Sequence, residues 1–168
     1  NVSVNGQPLT PVLMVNAQQC GDEAVELTSS IILNNATYHW YQGQSPNGNL
    51  IATTNQGNLT LPPYNPQQPE SRFFYLVIEA NGCESEPSSA AAVLLTPRPM
   101  ASVNAAVITE CEGSSVSLGT TVAGPGITYE WTGPNGFFST AQYPVAIDPL
   151  GLEAAGVYSL TVYRNGCP

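Results

Sequence analysis

The sequence contains an internal repeat, and this repeat predicts two copies of one small fold rather than a single large domain. The segment around Tyr38 and Trp40 returns 91 positions later around Tyr129 and Trp131. The final parts of the two copies are related by 84 positions, so the second copy is the shorter one. The other matched residues are Cys20 with Cys111, Val25 with Val116, Leu27 with Leu118, Phe74 with Tyr158, Leu76 with Leu160, and Asn81-Gly82-Cys83 with Asn165-Gly166-Cys167.

The two copies predict two domains, residues 1–96 and 97–168, joined by the short, proline-stiffened linker Thr96-Pro97-Arg98-Pro99. Fifteen glycines and fifteen prolines separate runs of Val, Ile, Leu and Thr, which is typical of strands joined by tight turns. Alternation of apolar and polar residues places strands at about 11–16, 24–32, 37–42, 49–54, 57–61, 72–80 and 88–95, and then at about 101–108, 115–122, 127–132, 137–140, 144–148 and 156–163.

The charge of the chain excludes some classes of partner. Three arginines and no lysine stand against twelve acidic residues, which gives a net charge of −9. Nucleic acids and anionic membrane surfaces require a basic footprint, so neither is an expected partner. The longest apolar run, residues 90–95, has the length of a strand, and membrane insertion is therefore not expected.

The repeated tryptophans predict the architecture. Two stacked antiparallel sheets need a large side chain on a central strand to fill the space between them, and Trp40 and Trp131 have that role. Leucines occupy the positions where an immunoglobulin domain carries its two core cysteines, and an aromatic residue precedes the second position as in a tyrosine corner. The fold class is therefore all-β, with two tandem immunoglobulin-like β-sandwiches. The predicted core residues are Trp40, Trp131, Leu27, Leu118, Leu76, Leu160 and Tyr158, with Phe74 matching Tyr158 in the first copy.

Three motifs resemble the immunoglobulin-like and PKD-like repeats of giant surface proteins of the Bacteroidota. These are Cys-x-Gly before the second strand, Tyr-x-Trp on the third and Asn-Gly-Cys after the sixth. The second copy carries Cys111-Glu112-Gly113, whereas the first reads Cys20-Gly21 and is one residue shorter. The resemblance covers residues 11–167. It implies an exported protein, a gliding-motility adhesin or a cargo of type IX secretion, that is secreted or held at the cell surface.

No catalytic chemistry is predicted. His39 is the sole histidine and points outward while Trp40 points inward, which indicates a surface side chain. The sequence has no lysine, no Gly-x-Ser-x-Gly motif and no histidines at zinc-binding spacing, so we expect neither an enzyme nor a cofactor. The acidic residues near Cys20 and Cys83 raise calcium as an alternative. A solvated acidic rim is the commoner explanation for Asp22, Glu23, Glu84 and Glu86, and no metal is predicted.

Exposed aromatic residues are the candidates for ligand binding, because planar rings stack on sugars. The candidate ligand face consists of Tyr41, Tyr64, Phe73 and Phe137, although each ring has a structural alternative within its own strand or loop. The favoured function is a non-enzymatic stiff segment in the stalk of a surface adhesin, with neighbouring repeats of the same polypeptide as partners. The alternative is a carbohydrate- or protein-recognition module attached to a secreted enzyme. A third class, a eukaryotic receptor ectodomain, stays open.

The two copies differ in their last strand. The first copy continues from Cys83 to Leu95, whereas the second stops at Pro168, one residue past Cys167. A sandwich without its last strand exposes an edge. We therefore expect that strand to lie beyond this sequence or to be supplied by a neighbour through strand addition.

The four cysteines allow three pairings. Repetition favours Cys20–Cys83 and Cys111–Cys167, one bond in each copy. In an immunoglobulin sandwich, however, the two cysteines of one copy lie at opposite ends of the domain. Each is about seven residues from its core leucine, at roughly 3.3 Å per residue. Their Cα atoms are then much farther apart than the limit near 7 Å for a disulfide. We therefore expect Cys20 to bond Cys167 and lock the units into a rod, which leaves Cys83 and Cys111 for neighbouring repeats. Bonds inside each copy remain the alternative.

Overall fold

The structure is a computed structural model that describes residues 2–168. The chain divides into two compact units, Asn1–Pro97 (unit 1) and Arg98–Pro168 (unit 2). The strands of unit 1 are β1 (Leu13–Val15), β2 (Gln18–Cys20), β3 (Val25–Ser29), β4 (Ala36–Gln42), β5 (Asn49–Thr54), β6 (Asn58–Leu61), β7 (Glu70–Ala80), β8 (Cys83–Glu84) and β9 (Ala91–Thr96). In unit 2 they are β10 (Ile127–Thr132), β11 (Phe138–Ser139) and β12 (Ser159–Arg164), with 3-10 turns at Pro134–Gly136 and Leu152–Ala154.

Unit 1 is a sandwich of two sheets. The smaller sheet has the order β1-β3-β6, and the larger has the order β2-β9-β7-β4-β5 with β8 paired to β7. All of these pairs are antiparallel except β2 with β9, which is parallel. The fold class is thus all-β with a sandwich architecture, as predicted.

The core of unit 1 follows from the alternation of side chains along its strands. On β4, the side chains of Tyr38 and Trp40 point inward and are fully buried, while His39 between them points to the outer face. Trp40 pairs in register with Leu76 on β7, and its indole N–H donates to Thr54 Oγ1 at 2.9 Å. The indole is therefore both packed and hydrogen-bonded, which is what a buried tryptophan requires.

The Asn-Gly-Cys motif forms a tight hairpin turn in each unit. Asn81 and Gly82 have positive φ angles of 53° and 76°, between β7 and β8. Asn165 and Gly166 repeat this conformation with 49° and 86°. Two successive residues with positive φ define the hairpin turn that asparagine followed by glycine favours, so the motif is explained by backbone conformation.

Unit 2 has fewer strands than the sequence predicts. β10 has the predicted bounds and forms a three-stranded sheet in the order β11-β10-β12. The strands expected at 101–108, 115–122 and 144–148 are wrong as continuous strands. In those segments the backbone makes an isolated bridge between Val116 and Ile147 and a bond from the Asn104 N–H to the Gly119 carbonyl. Pro144 begins the third segment and Pro149 follows it, and neither can donate to a strand ladder, which explains part of this irregularity.

The cysteines fall into two groups. Cys20 and Cys167 are disulfide-bonded, whereas Cys83 and Cys111 are free thiols. The alternative of one bond inside each unit, which requires Cys83 and Cys111 to be oxidised, is therefore wrong. The pairing of Cys20 with Cys167 stays a prediction, as do bonds from the two free thiols to neighbouring repeats. Within residues 2–168, no helix has the length and apolarity needed to cross a membrane.

Candidate functional site

The outer face of the larger sheet in unit 1 carries most of the polar and aromatic chemistry. Side chains that alternate with the core residues of β4 and β7 point to this face. The register places Tyr41 opposite Tyr75, and Glu79 opposite Glu84 of β8. Residues far apart in sequence thus meet on one surface.

Tyr41 and Tyr75 form a stacked pair on this face. Their ring centroids are 4.7 Å apart and the planes differ by 2°. The Tyr75 hydroxyl donates to the Pro46 carbonyl at 2.8 Å and accepts from the Gly48 N–H at 3.0 Å, and Tyr75 is 2% exposed. Tyr75 therefore braces the loop before β5, and Tyr41 packs against it.

The environment of Tyr41 predicts a shifted titration. Burial raises the pKa of its phenol above the ordinary value of 10.0, and Tyr75 and Glu84 raise it further. Because the folded state holds this proton more tightly than the unfolded chain, the phenol stabilises the fold below about pH 10, and the contribution is lost as the pH rises through the folded pKa. The difference in phenolate absorbance between the protein and its Tyr41→Phe variant reports the titration of this one phenol. In the folded proteins this difference should appear at a higher pH than in the same two proteins in denaturant. Equal midpoints under both conditions would show that this environment does not act on the phenol.

The four aromatic residues predicted as a ligand face lie in different surroundings. Tyr41 and Phe73 share the outer face, whereas Tyr64 packs against the core of unit 1 with the Arg72 guanidinium 4.0 Å from its ring centroid. Phe137 belongs to unit 2 and packs edge-on against Tyr158, with centroids 5.2 Å apart. All four are half-buried. The structure brings Tyr41 together with Tyr75 instead, a partner that sequence analysis did not select.

His39 lies in a hydrogen-bonded row on the same face. Its Nε2 is 3.2 Å from Glu79 Oε2, and its Nδ1 is 3.3 Å from Thr53 Oγ1. His39, Glu79 and Glu84 offer ligand atoms that all lie within 4.8 Å of one another, a nitrogen and carboxylate set that could hold a divalent cation. The hydrogen bond between His39 and Glu79 already accounts for their approach, and Thr53 is exposed on the outer face of the sheet. We therefore describe the row as a surface network and assign it no catalytic role.

A groove of about 570 Å³ opens into unit 2. The residues that line it include Val116, Leu118 and Trp131 and the segments 103–110 and 154–158. The core residue Leu27 of unit 1 is fully buried, whereas its repeat partner Leu118 is only half-buried. This groove, hereafter the unit 2 groove, therefore reaches the core of the unit, where it is lined by the buried Trp131.

The other predicted core positions show the same contrast between the units. Trp40 and Trp131 are both buried, but Leu76 is fully buried while Leu160 is half-buried. Tyr158 is half-buried, and its hydroxyl donates to the Ala154 carbonyl at 2.9 Å, four residues upstream. This is the hydrogen bond of a tyrosine corner. It fixes the start of β12 beside the groove.

Comparisons with solved structures find immunoglobulin-like and fibronectin-like chains. The FN1–FN3 domains of chicken CNTN1 are 10% identical over 95% of this chain and 57% of that chain, with a TM-score of 0.44. A marsupial T cell receptor is 13% identical over 91% of this chain and 66% of that chain, with a TM-score of 0.50. The human OSCAR ligand-binding domain is 19% identical over 96% of this chain and 92% of that chain, with a TM-score of 0.38.

These likenesses are limited to the fold. The chain spans less than two thirds of the first two structures, and the T cell receptor supports the fold alone because its identity is only 13%. A search of curated proteins found no match. The family model described as "Ig-like domain CHU_C associated" matches residues 8–97, more than half of the chain. The buried tryptophan, the sandwich of unit 1 and this match together identify the chain as a member of the CHU_C-associated Ig-like domain family.

Proposed function

We propose that the chain is a non-enzymatic, extracellular pair of modules that serves as a stiff segment in the stalk of a cell-surface adhesin, of the gliding-motility kind. The observation that carries this proposal is membership of an immunoglobulin-like family in a chain that repeats its unit across a short linker with two prolines. The bonded state of Cys20 and Cys167 supports an oxidising, extracellular location. A stalk segment requires stably folded units and does not require a ligand-binding site.

The alternative function is recognition of a carbohydrate or protein on behalf of a secreted enzyme. The half-buried Tyr41 ring on the outer sheet face favours it, since an accessible aromatic ring can stack on a sugar ring. Three of the four candidate rings, however, pack against a tyrosine or an arginine of their own unit. This internal packing favours the stalk over the recognition module.

A glycan array probed with the full chain separates the two functions. The stalk proposal predicts no reproducible glycan binding above background. Binding of one glycan class that is lost in Tyr41→Ala or Tyr64→Ala, but kept in Tyr143→Ala, would overturn it in favour of recognition. Tyr143 is a suitable control because it is exposed and belongs to unit 2.

A bond between Cys20 and Cys167 is part of the stalk proposal, because a covalent link between the units would stiffen the segment. Peptide mapping of the unreduced protein should recover the Cys20 peptide joined to the Cys167 peptide, with Cys83 and Cys111 open to alkylation. Recovery of Cys20 joined to any other cysteine would remove this link from the proposal.

A further inference from the structure

His39, Glu79 and Glu84 meet on the outer face of unit 1 from three different strands. His39 lies on β4, Glu79 on β7 and Glu84 on β8. Each offers one ligand atom, and the three atoms all lie within 4.8 Å of one another. The set combines an imidazole nitrogen with two carboxylates, so it is not a purely acidic cluster, and these are donors that bind zinc.

The hydrogen bond between His39 and Glu79 does not explain why Glu84 is there. In the register of β7 and β8, Glu79 and Glu84 lie directly opposite each other. Like charges at opposite positions destabilise an antiparallel pair of strands. Unit 1 has one arginine and no lysine, and Arg72 pairs with Glu70 at 2.8 Å. In the described part of unit 1, no arginine or lysine therefore neutralises the two opposed carboxylates, and a divalent cation between them would do so.

The distances on this face suit a small, tetrahedrally coordinated ion. Ligand atoms at about 2.0–2.1 Å from a zinc ion are roughly 3.3–3.4 Å from one another in a tetrahedron. His39 Nε2 and Glu79 Oε2 are 3.2 Å apart, so these two atoms already have the spacing of a ligand pair. Glu84 is exposed, and a change of its rotamer closes the remaining gap.

Thr53 holds the imidazole in the orientation that a metal ligand needs. Its Oγ1 lies 3.3 Å from His39 Nδ1. A hydroxyl both donates and accepts. Thr53 therefore donates to Nδ1 when Nε2 carries the proton, and accepts from Nδ1 when Nε2 binds a metal. Metal-binding histidines almost always have such a partner on their second nitrogen.

We propose that His39, Glu79 and Glu84 bind one Zn²⁺ ion, with water in the fourth position. The ion links β4 to the β7–β8 hairpin and thereby stabilises unit 1. No spacing in the sequence signals this site, because its ligands are brought together by the register of three strands. The inference does not depend on the adhesin role, since it concerns only the outer face of unit 1.

The test is a titration of the full chain with zinc chloride, carrying Cys83→Ser and Cys111→Ser because free thiols also bind zinc. Isothermal titration calorimetry should show one saturable site. His39 is the sole histidine, so its imidazole NMR signals should change with the same stoichiometry. Zinc should also raise the unfolding temperature of unit 1 and leave that of unit 2 unchanged, because only unit 1 binds it.

Two glutamine variants locate the ion. Glu84→Gln removes a ligand from an exposed position and should weaken zinc binding at least tenfold. Glu86→Gln is the matched control, since it removes the same charge from an exposed glutamate outside the ligand set, and it should change the affinity less than twofold. No saturable zinc binding, equal weakening by the two variants, or unchanged His39 signals would overturn the proposal. Saturable binding of calcium without binding of zinc would overturn the zinc assignment.

Discussion

Replacing Trp40 by alanine should lower the free energy of unfolding of unit 1 by about 3–5 kcal/mol. The side chain is fully buried between the two sheets and packs in register with Leu76. The substitution leaves a large cavity and removes the donor to Thr54 Oγ1. The loss can be measured by chemical denaturation followed by far-ultraviolet circular dichroism, with calorimetry to separate the transitions of the two units.

Leu50→Ala on β5 is the matched control, because Leu50 is also an apolar strand residue but is 54% exposed. Its substitution should change the free energy of unfolding by no more than about 0.5 kcal/mol. A loss below about 1 kcal/mol for Trp40→Ala would mean that this residue is not the central plug of the sandwich.

Leu27→Ala and Leu118→Ala should differ strongly although the two leucines occupy the same position in the repeat. Leu27 is fully buried, so its truncation should cost about 2–5 kcal/mol, including the cavity it leaves. Leu118 is half-buried and lines the unit 2 groove, so its truncation removes less contact with the core. Its truncation should cost about 1–2 kcal/mol, roughly half of what full burial of such a side chain contributes with its cavity.

The comparison of these two variants measures how open unit 2 is. Each variant should shift only the calorimetric transition of its own unit. Equal losses for the two leucines would show that Leu118 is packed as deeply as Leu27 and would contradict the groove.

Much of unit 1 could be predicted from the sequence because strand periodicity and burial coincide there. Alternating side chains and turn residues mark β4 and β5 closely, and Trp40 indicates the sandwich. β2 escaped prediction because its pairing with β9 joins residues more than seventy positions apart. Such a strand is defined by its partner rather than by its own pattern.

Unit 2 and the outer face show where sequence patterns are insufficient. Residues 101–108 have strand-like composition, but a segment becomes a strand only when another edge pairs with it. Here the Asn104 N–H donates to the Gly119 carbonyl and the Thr120 hydroxyl donates to the Ser102 carbonyl, which does not make a strand ladder. The stacking of Tyr41 on Tyr75 and the bond from His39 to Glu79 likewise depend on the register of β4 against β7. Alternation identifies which side chains face outward, but it does not identify the partner of each.

Pulling the chain from its two ends in single-molecule force spectroscopy is the most direct test of the proposed stiff segment. A bond between Cys20 and Cys167 takes residues 21–166 out of the loaded path. The unreduced chain should therefore extend very little, whereas the reduced chain should unfold and lengthen by about 3.3–3.6 Å per residue. An unreduced chain that lengthens as far as the reduced one would contradict the proposal.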